Sequence, residues 1–302
     1  MAGETFQLEE AHVQQYTSNV RLLLQDMGKS LRNYCEPGDY AGSKGGQAVQ
    51  QFGETEPHIN LPRFSDTPTD SVPQSQVWVF PQVYEWFTLV ERTDELKSLI
   101  DLQGPFTKAG TAGMSRAEDR IVINAHFAAA KIGENGGNNE NFDSANQTVA
   151  VDVGAKSATG MNVAKLKRAK KKLEAAEVDF DMEEVFCGIT AQQEEDLLND
   201  VEVINRDYAN TAGRPILNAN GNVVQYLGFR FVRKEGWLTD TNGYRRCPIW
   251  TKSGMHFGGW EEVTPDIGPR RDKRGATQIH LRAMGGATRT ENKRVIEVKC
   301  AE

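Results

Sequence analysis

The chain has 302 residues, of which 38% are hydrophobic, and its 35 basic and 42 acidic residues leave a net charge of −7. That length allows one large domain or two ordinary ones, and the acidic balance argues against a protein that coats nucleic acid over its whole surface. The low apolar share, with 28 Gly and 11 Pro, predicts long loops and extended arms around modest cores.

No apolar run approaches the ~18 residues of a membrane span. The opening MAGETFQLEEAH is acidic and polar, unlike a secretory or transit peptide. Cys35, Cys187, Cys247 and Cys300 are scattered, with no C-x-x-C pair. They read as reduced intracellular thiols, and the spacing argues against a structural zinc site.

Residues 1–45 read as an arm. Val13, Tyr16, Val20, Leu23 and Leu24 have helical spacing, which Leu31 and Tyr34 continue weakly before Pro37-Gly38 and the joint GDYAGSKGG. Such an arm cannot bury its apolar face alone. It packs either on its own domain or on a neighbouring subunit.

Residues 46–91 read as a long two-stranded flap. Residues 46–52 form a short strand and residues 77–90, VWVFPQVYEWFTLV, a second one rich in β-branched and aromatic residues. Between them lies a polar stretch with four prolines, GETEPHINLPRFSDTPTDSVPQSQ. A loop that long is uncommon inside a compact domain. Phe52, Trp78, Phe80, Tyr84, Trp86 and Phe87 would be a liability on a solvated ribbon. They pack either on their own core or across a neighbouring subunit.

Residues 93–102 predict a short helix capped by Thr93. QGPFTKAGTAGM then reads as a Gly-rich lead-in. KAGTAG (108–113) lacks the G-K-[ST] ending of a phosphate loop and reads as a turn. The best-bounded helix is expected at 115–133, with Ser115 as N-cap, Glu118 completing a capping box and Gly133 at C′. Ala117, Ile121, Ala125, Ala128 and Ile132 share one face. Arg116, Arg120, Asn124 and Lys131 form a polar stripe beside it.

GENGGNNENFDSANQT reads as an unstructured loop, and 149–153 as an edge strand. A helix at 162–178 has Asn162 as N-cap and a buried stripe of Val163, Leu166, Leu173 and Ala176. Lys165, Lys167, Arg168, Lys170, Lys171 and Lys172 cover the rest. A strand at 184–190 and a helix at 190–198, boxed by Thr190 and Gln193, complete an α+β unit. Asn220-Gly221 turns the chain into a strand pair at 223–232. Residues 235–265 read as irregular. The final segment reads as two alternating strands, around 277–282 and 295–300, joined by a hairpin-like turn.

Chemistry is not legible. His12, His58, His126, His256 and His280 have no metal-site spacing, and no H-E-x-x-H, G-x-S-x-G or Walker motif occurs. Nothing implies a cofactor. Two basic patches stand out: Lys170–Lys172 with their helix, and Arg270–Arg274 with Arg282, Arg289, Lys293 and Arg294. Either is a solvated or ion-paired face, or a sequence-independent contact with phosphate.

The order of these parts resembles the major capsid proteins of tailed bacteriophages, those with the Hong Kong 97-type capsid fold, an α+β architecture. The likeness rests on the arm QQYTSNVRLLLQDMGKSLR, on VERTDELKSLI…RAEDRIVINAHFAAAKIGENGG, on NVAKLKRAKKKLEAAEV…VFCGITAQQEEDLLND, and on the ending GATRTENKRVIEVKC.

The resemblance implies an N-terminal arm (1–45), an extended loop (46–91) and a peripheral domain (92–160) with a spine helix at 115–133. An axial domain (161–265) and closing strands that return to the peripheral domain (266–302) follow. It implies no enzymatic activity. It implies self-assembly of hexamers and pentamers into a virion head in the host bacterial cytoplasm, with a separate scaffolding protein, a portal and a decoration protein as partners, packaged double-stranded DNA inside and no membrane. Phe52, Trp78, Phe80, Tyr84, Trp86, Arg116 and Arg120 are the expected inter-subunit contacts. Lys170, Lys171, Lys172, Arg270 and Arg271 are the expected DNA-facing residues. An encapsulin-like compartment shell of the same fold, and a soluble enzyme with an unrecognised site, are the alternatives.

Overall fold

A computed structural model describes residues 26–28, 31–42, 46–59, 62–63, 66–67, 69–91, 103–200 and 215–302. The helical part of the arm (13–24) and the expected helix at 93–102 lie outside the described residues. The chain divides into two units. One comprises Met1–Lys29, Val83–Ala117 and Glu261–Met284, the other Ser30–Gln82, Glu118–Trp260 and Gly285–Glu302.

The larger unit is built on a sheet of seven described strands. In chain order these are β7 (Thr148–Val149), β8 (Val185–Ile189), β9 (Ile216–Leu217), β10 (Val223–Tyr226), β11 (Phe229–Arg233), β12 (Arg245–Thr251) and β15 (Val295–Cys300). Their spatial order is β7-β15-β12-β8-β11-β10-β9. Alternation sends side chains to opposite faces. Cys187, Ile189, Cys247, Ile249, Ile296, Val298 and Cys300 pack on one side with Leu166, Ala169 and Leu173 of helix α2 (Val163–Ala175) and Leu197 of helix α3 (Ala191–Asn199). Phe186, Trp250 and Val295 pack in a second cluster with Leu31, Val122 and Ile123.

The expected caps of α2 and α3 are present. Asn162 Oδ1 accepts from the Lys165 backbone N–H at 2.8 Å, and Gln193 Oε1 accepts from the Thr190 N–H at 3.0 Å. One side chain of the α2 polar face is misassigned by sequence. Lys165 is fully buried, and its Nζ donates to the carbonyls of Thr159, Gly160 and Lys299 at 2.6, 2.8 and 2.9 Å. Three carbonyl dipoles replace the water that the ammonium loses.

Helix α1 spans Gln103–Ala125, not 115–133. The Gly-rich lead-in, KAGTAG included, is helical, Ser115 is an interior residue, and Lys131 and Ile132 lie in strand β5 (Ala130–Ile132). Gly133 does adopt a positive φ of 79°, but it follows that strand and does not end a helix. Residues 235–265 are not irregular either. They hold β12, almost entirely buried, and the first part of the 16-residue β13 (Met255–Arg270).

A second sheet has the order β1-β13-β14-β4, where β1 is Glu36–Asp39, β4 is Gln82–Val90 and β14 is Ala276–Arg289. The expected helix stop at Pro37-Gly38 therefore lies in a strand, which takes in only the first two residues of the joint GDYAGSKGG and runs parallel to β13 at the sheet edge with Glu36 opposite His256. Proline is tolerated there because an edge N–H needs no ladder partner. The last two strands do not pair with each other: β14 joins β13 and β4, whereas β15 joins β12 and β7.

In the smaller unit, Met114 of α1 packs on Leu281 and Ala283 of β14, with Tyr84, Trp86 and Val263 around them. Gly110 allows the approach. A Cβ there would lie 2.5 Å from Trp86 Cε3 and 2.7 Å from Leu281 Cδ1.

Candidate functional site

The flap begins as strand β2 (Gln47–Phe52), antiparallel to β3 (Gln74–Val79), with Gln47 opposite Val79 and Phe52 opposite Gln74. Beyond the ladder the Gly53 N–H donates to the Pro73 carbonyl at 2.7 Å. Phe80-Pro81 then breaks the expected second strand in two. β3 stays with β2, β5 and β6 (Asn138–Glu140), while β4 joins the other sheet.

The flap base is anchored within its own unit. Trp78 Nε1 donates to the Gly133 carbonyl at 2.7 Å, and the Gly133 N–H donates to the Gln76 carbonyl at 3.1 Å. Trp78 stacks on Phe80 with ring centroids 6.3 Å apart. Gln51 Nε2 reaches the Thr290 carbonyl at 3.3 Å. Beside the base lies an open groove of about 1060 Å³ whose lining includes Gln51, Gln76, Glu134, Glu140, Gln147 and Asn292.

The far part of the flap has no such support. Among the described residues of 53–73 there is no strand, and all are exposed. His58 Nε2 and Asp70 Oδ1 meet at 2.8 Å and link the two limbs. Phe52 is 67% and Ile59 80% exposed.

The expected inter-subunit residues therefore separate. Phe52 and Phe80 are exposed. Trp78 is packed at the flap base, and Tyr84 and Trp86 face the core beneath β4 and β14. On the opposite side of β4, Val83, Phe87 and Leu89 are exposed; sequence reading missed Val83 and Leu89, although alternation with Tyr84 and Trp86 carried the signal. Glu85 lies among them, 3.8 Å from Arg282 and 3.9 Å from His280. Arg116 Nη1 is held by the Asp26 carbonyl at 2.6 Å, whereas Arg120 is exposed.

The expected DNA-facing residues separate too. Lys170 Nζ is 3.8 Å from Glu174 and 5.0 Å from the Phe180 ring centroid. Lys172 donates to the Asn146 carbonyl. Arg270 forms a fork with Asp272, its Nε donating at 2.9 Å. Lys171 and Arg271 are exposed.

Three buried cysteine thiols of the larger unit are poorly suited to attack a substrate. Burial pushes the Cys35 thiol up to about 12 and raises Cys187. Contact with Cys300, then burial, raises Cys247. A protonated thiol is a weak nucleophile. Burial lowers His126 to about 4, with Nδ1 donating to the Val122 carbonyl at 2.8 Å. Among the described residues, no three His, Cys, Asp or Glu side chains are grouped to hold a metal ion, and no helix is long and apolar enough to cross a membrane.

The sequence matches the model of the phage capsid protein family over residues 8–302. No curated protein matches it. The structure is similar to the head structure of Helicobacter pylori bacteriophage KHP40, at 10% identity and a TM-score of 0.70, with 99% of each chain covered. It is similar to the capsid of cyanophage P-SCSP1u, at 10% identity and a TM-score of 0.69, covering 98% of this chain and 94% of that one. It is also similar to the cyanophage Pam1 capsid, at 14% identity and a TM-score of 0.68, covering 100% and 99%.

Proposed function

The chain belongs to the phage capsid protein family, and we propose that its copies close as hexamers and pentamers into the icosahedral head of a tailed phage, around a double-stranded DNA genome. The Hong Kong 97-type fold and a structural role as the capsid shell protein follow from the family and its structural neighbours. The shell is built of identical subunits, and its place is the virion capsid.

The observation that supports the finer reading is the flap. An exposed two-limbed loop carrying Phe52 and Ile59 into solvent is a poor structure for a monomer and a useful one in a symmetric assembly, where it covers a neighbour. In this reading residues 1–45 are the arm, 46–91 the extended loop, and α1 the spine of the peripheral domain. The axial domain comprises 161–265 together with β15. Phe52, Phe80, Val83, Phe87, Leu89 and Arg120 face neighbouring subunits, and Lys171 faces packaged DNA by phosphate contact. A scaffolding protein, a portal and a decoration protein act with the shell, which assembles in the host bacterial cytoplasm. The subunit performs no catalysis.

Negative-stain microscopy of the purified full chain tests this. Closed shells that carry DNA after infection are expected. A monodisperse monomer at high concentration overturns the assembly reading, and shells filled with a protein cargo replace it with a cellular compartment.

A further inference from the structure

Tyr40 ties the edge strand β1 to β13. Glu36 stands opposite His256 and Gly38 opposite Gly258, so alternation puts Glu36, Gly38 and Tyr40 on the same face as His256, Gly258 and Trp260. The Tyr40 N–H extends the ladder to the Gly259 carbonyl at 2.8 Å. Its ring then lies back across the two glycines. A Cβ on Gly38 would come within 2.9 Å of Tyr40 Cζ, and one on Gly258 within 2.7 Å of Tyr40 Cε2. The Tyr40 hydroxyl thereby reaches His256 Nε2 at 2.8 Å, with the Trp260 ring 5.0 Å away, centroid to centroid.

The imidazole that Tyr40 meets is 5% exposed. Among the described residues neither His256 Nδ1 nor Trp260 Nε1 has a hydrogen-bond partner. Such buried atoms are uncommon, because each forgoes the bond that water would give it. An imidazolium carries an N–H on both nitrogens, and at Nδ1 nothing accepts it. The charged groups on the surrounding elements are Glu36 and Asp39 on β1, Arg32 before it, Lys252 before β13, Arg289 at the end of β14 and Arg294 beyond it. Arg289 is turned to the His126 and Ala128 carbonyls, and Arg294 to Glu183. Burial lowers the His256 pKa, and the Glu36 carboxylate opposes this only in part.

We propose that Tyr40 and His256 form an acid-released clasp: neutral His256 pins Tyr40 and β1 to the edge of β13, and a proton on His256 opens that edge and frees segment 36–42. The clasp is internal to one subunit and does not depend on which surface the flap covers. Its sign follows from the two states. In the open edge His256 is hydrated and titrates near its ordinary ~6.5, whereas in the closed edge the buried ring holds off the proton. The closed edge is therefore fully stable above about pH 6.5 and weakens as pH falls, until the lowered folded value is passed.

Hydrogen exchange of the full chain, read by mass spectrometry and corrected for the intrinsic pH dependence of amide exchange, tests this. Protection of 36–42 should fall by up to about tenfold per pH unit below ~6.5. The buried strand β12, which exchanges through global unfolding, should stay more protected at every pH. His256→Gln keeps a partner for Tyr40 but cannot take the proton, so its 36–42 segment should hold the same protection across the range. Glu36→Gln removes the carboxylate that favours the proton, so release should move to lower pH. Tyr40→Phe removes the hydroxyl, and the segment should exchange faster already at neutral pH.

Acid release in His256→Gln equal to that of the wild type, or release in Glu36→Gln at an unchanged pH, assigns the proton to another group and overturns the proposal. So does a wild-type segment whose protection is flat with pH. Equal protection of 36–42 and β12 through the acid range means that the edge opens only with the whole fold, and overturns it as well. Glu36 is exposed, so its variant stays folded and decides alone where His256→Gln does not fold.

Discussion

Asp119 and Lys234 form an ion pair inside the larger unit, with side chains 0% and 7% exposed. Asp119 Oδ1 also accepts from the Leu31 N–H at 2.8 Å, so one carboxylate joins the C-terminal half of α1, the segment after β11 and the start of the chain's second cluster. Removing one partner of a buried pair leaves the other charged and desolvated. Asp119→Ala should therefore cost ~3–5 kcal/mol of stability. The double variant Asp119→Leu with Lys234→Met should recover much of that, since no stranded charge remains. Urea unfolding of the two variants beside the wild type measures both effects. Equal losses would show that the Leu31 contact, not the charge pair, carries the stability.

His126 sets an acid limit. Its ring lies 4.6 Å from Trp250 and 5.9 Å from Trp237, centroid to centroid, and Nε2 has no hydrogen-bond partner. Burial lowers its pKa to about 4 from an ordinary 6.5, so the folded state resists the proton that the unfolded state accepts. The stability from neutral His126 is complete above the unfolded value and is lost as pH falls towards the folded one. Between pH ~6.5 and ~4 this amounts to about 3 kcal/mol. The unfolding free energy of the wild type minus that of His126→Leu, followed across this range, should fall with acid; a flat difference would count against a buried neutral imidazole.

Helix caps and a turn were legible in the sequence, and strand pairing was not. Asn162 and Thr190 were readable as caps because a short polar side chain before an apolar-periodic run has few other uses. Asn220-Gly221 was readable as a turn, and Gly221 indeed has φ 79°. β12 was not, because RRCPIWT is buried on both faces and neither alternates nor avoids proline. The pairing of β15 with β12, not with β14, depends on side chains more than forty residues apart in sequence, which no local pattern encodes. The aromatic run 77–90 announced burial or an interface, but only the break at Phe80-Pro81 shows that Trp78 serves the flap base and Trp86 a different sheet.

Gly110 explains why α1 was misplaced. QGPFTKAGTAG looks like a lead-in because Gly disfavours helix by about 1 kcal/mol relative to Ala. Here the glycine is kept by packing, since a Cβ would press within 2.5 Å of Trp86 and 2.7 Å of Leu281. Gly110→Ala should therefore destabilise the smaller unit, with ~1–3 kcal/mol of overpacking outweighing the propensity gain. Pairing it with Trp86→Leu should relieve the clash at the cost of a cavity. Thermal unfolding of the full chain decides: a rise in melting temperature for Gly110→Ala alone would mean that Trp86 moves aside freely.

Replacing residues 54–72 with a short Gly/Ser turn should separate folding from assembly. The β2–β3 ladder and the Trp78 anchor on Gly133 both lie outside the replaced segment, so the folded chain loses little that it uses. Shortening a loop from about twenty residues to about four also lowers the closure entropy by ~1 kcal/mol. Circular dichroism and the melting temperature should stay at or slightly above those of the intact chain. Shell yield should fall to background, because Ile59 and the acidic limbs are gone and the next subunit loses its cover. The two readouts answer different questions. A folded variant that still closes shells would remove the flap from the assembly contacts. A variant that fails to fold would show that the segment belongs to the core of its own subunit, against the exposure of every described residue in it.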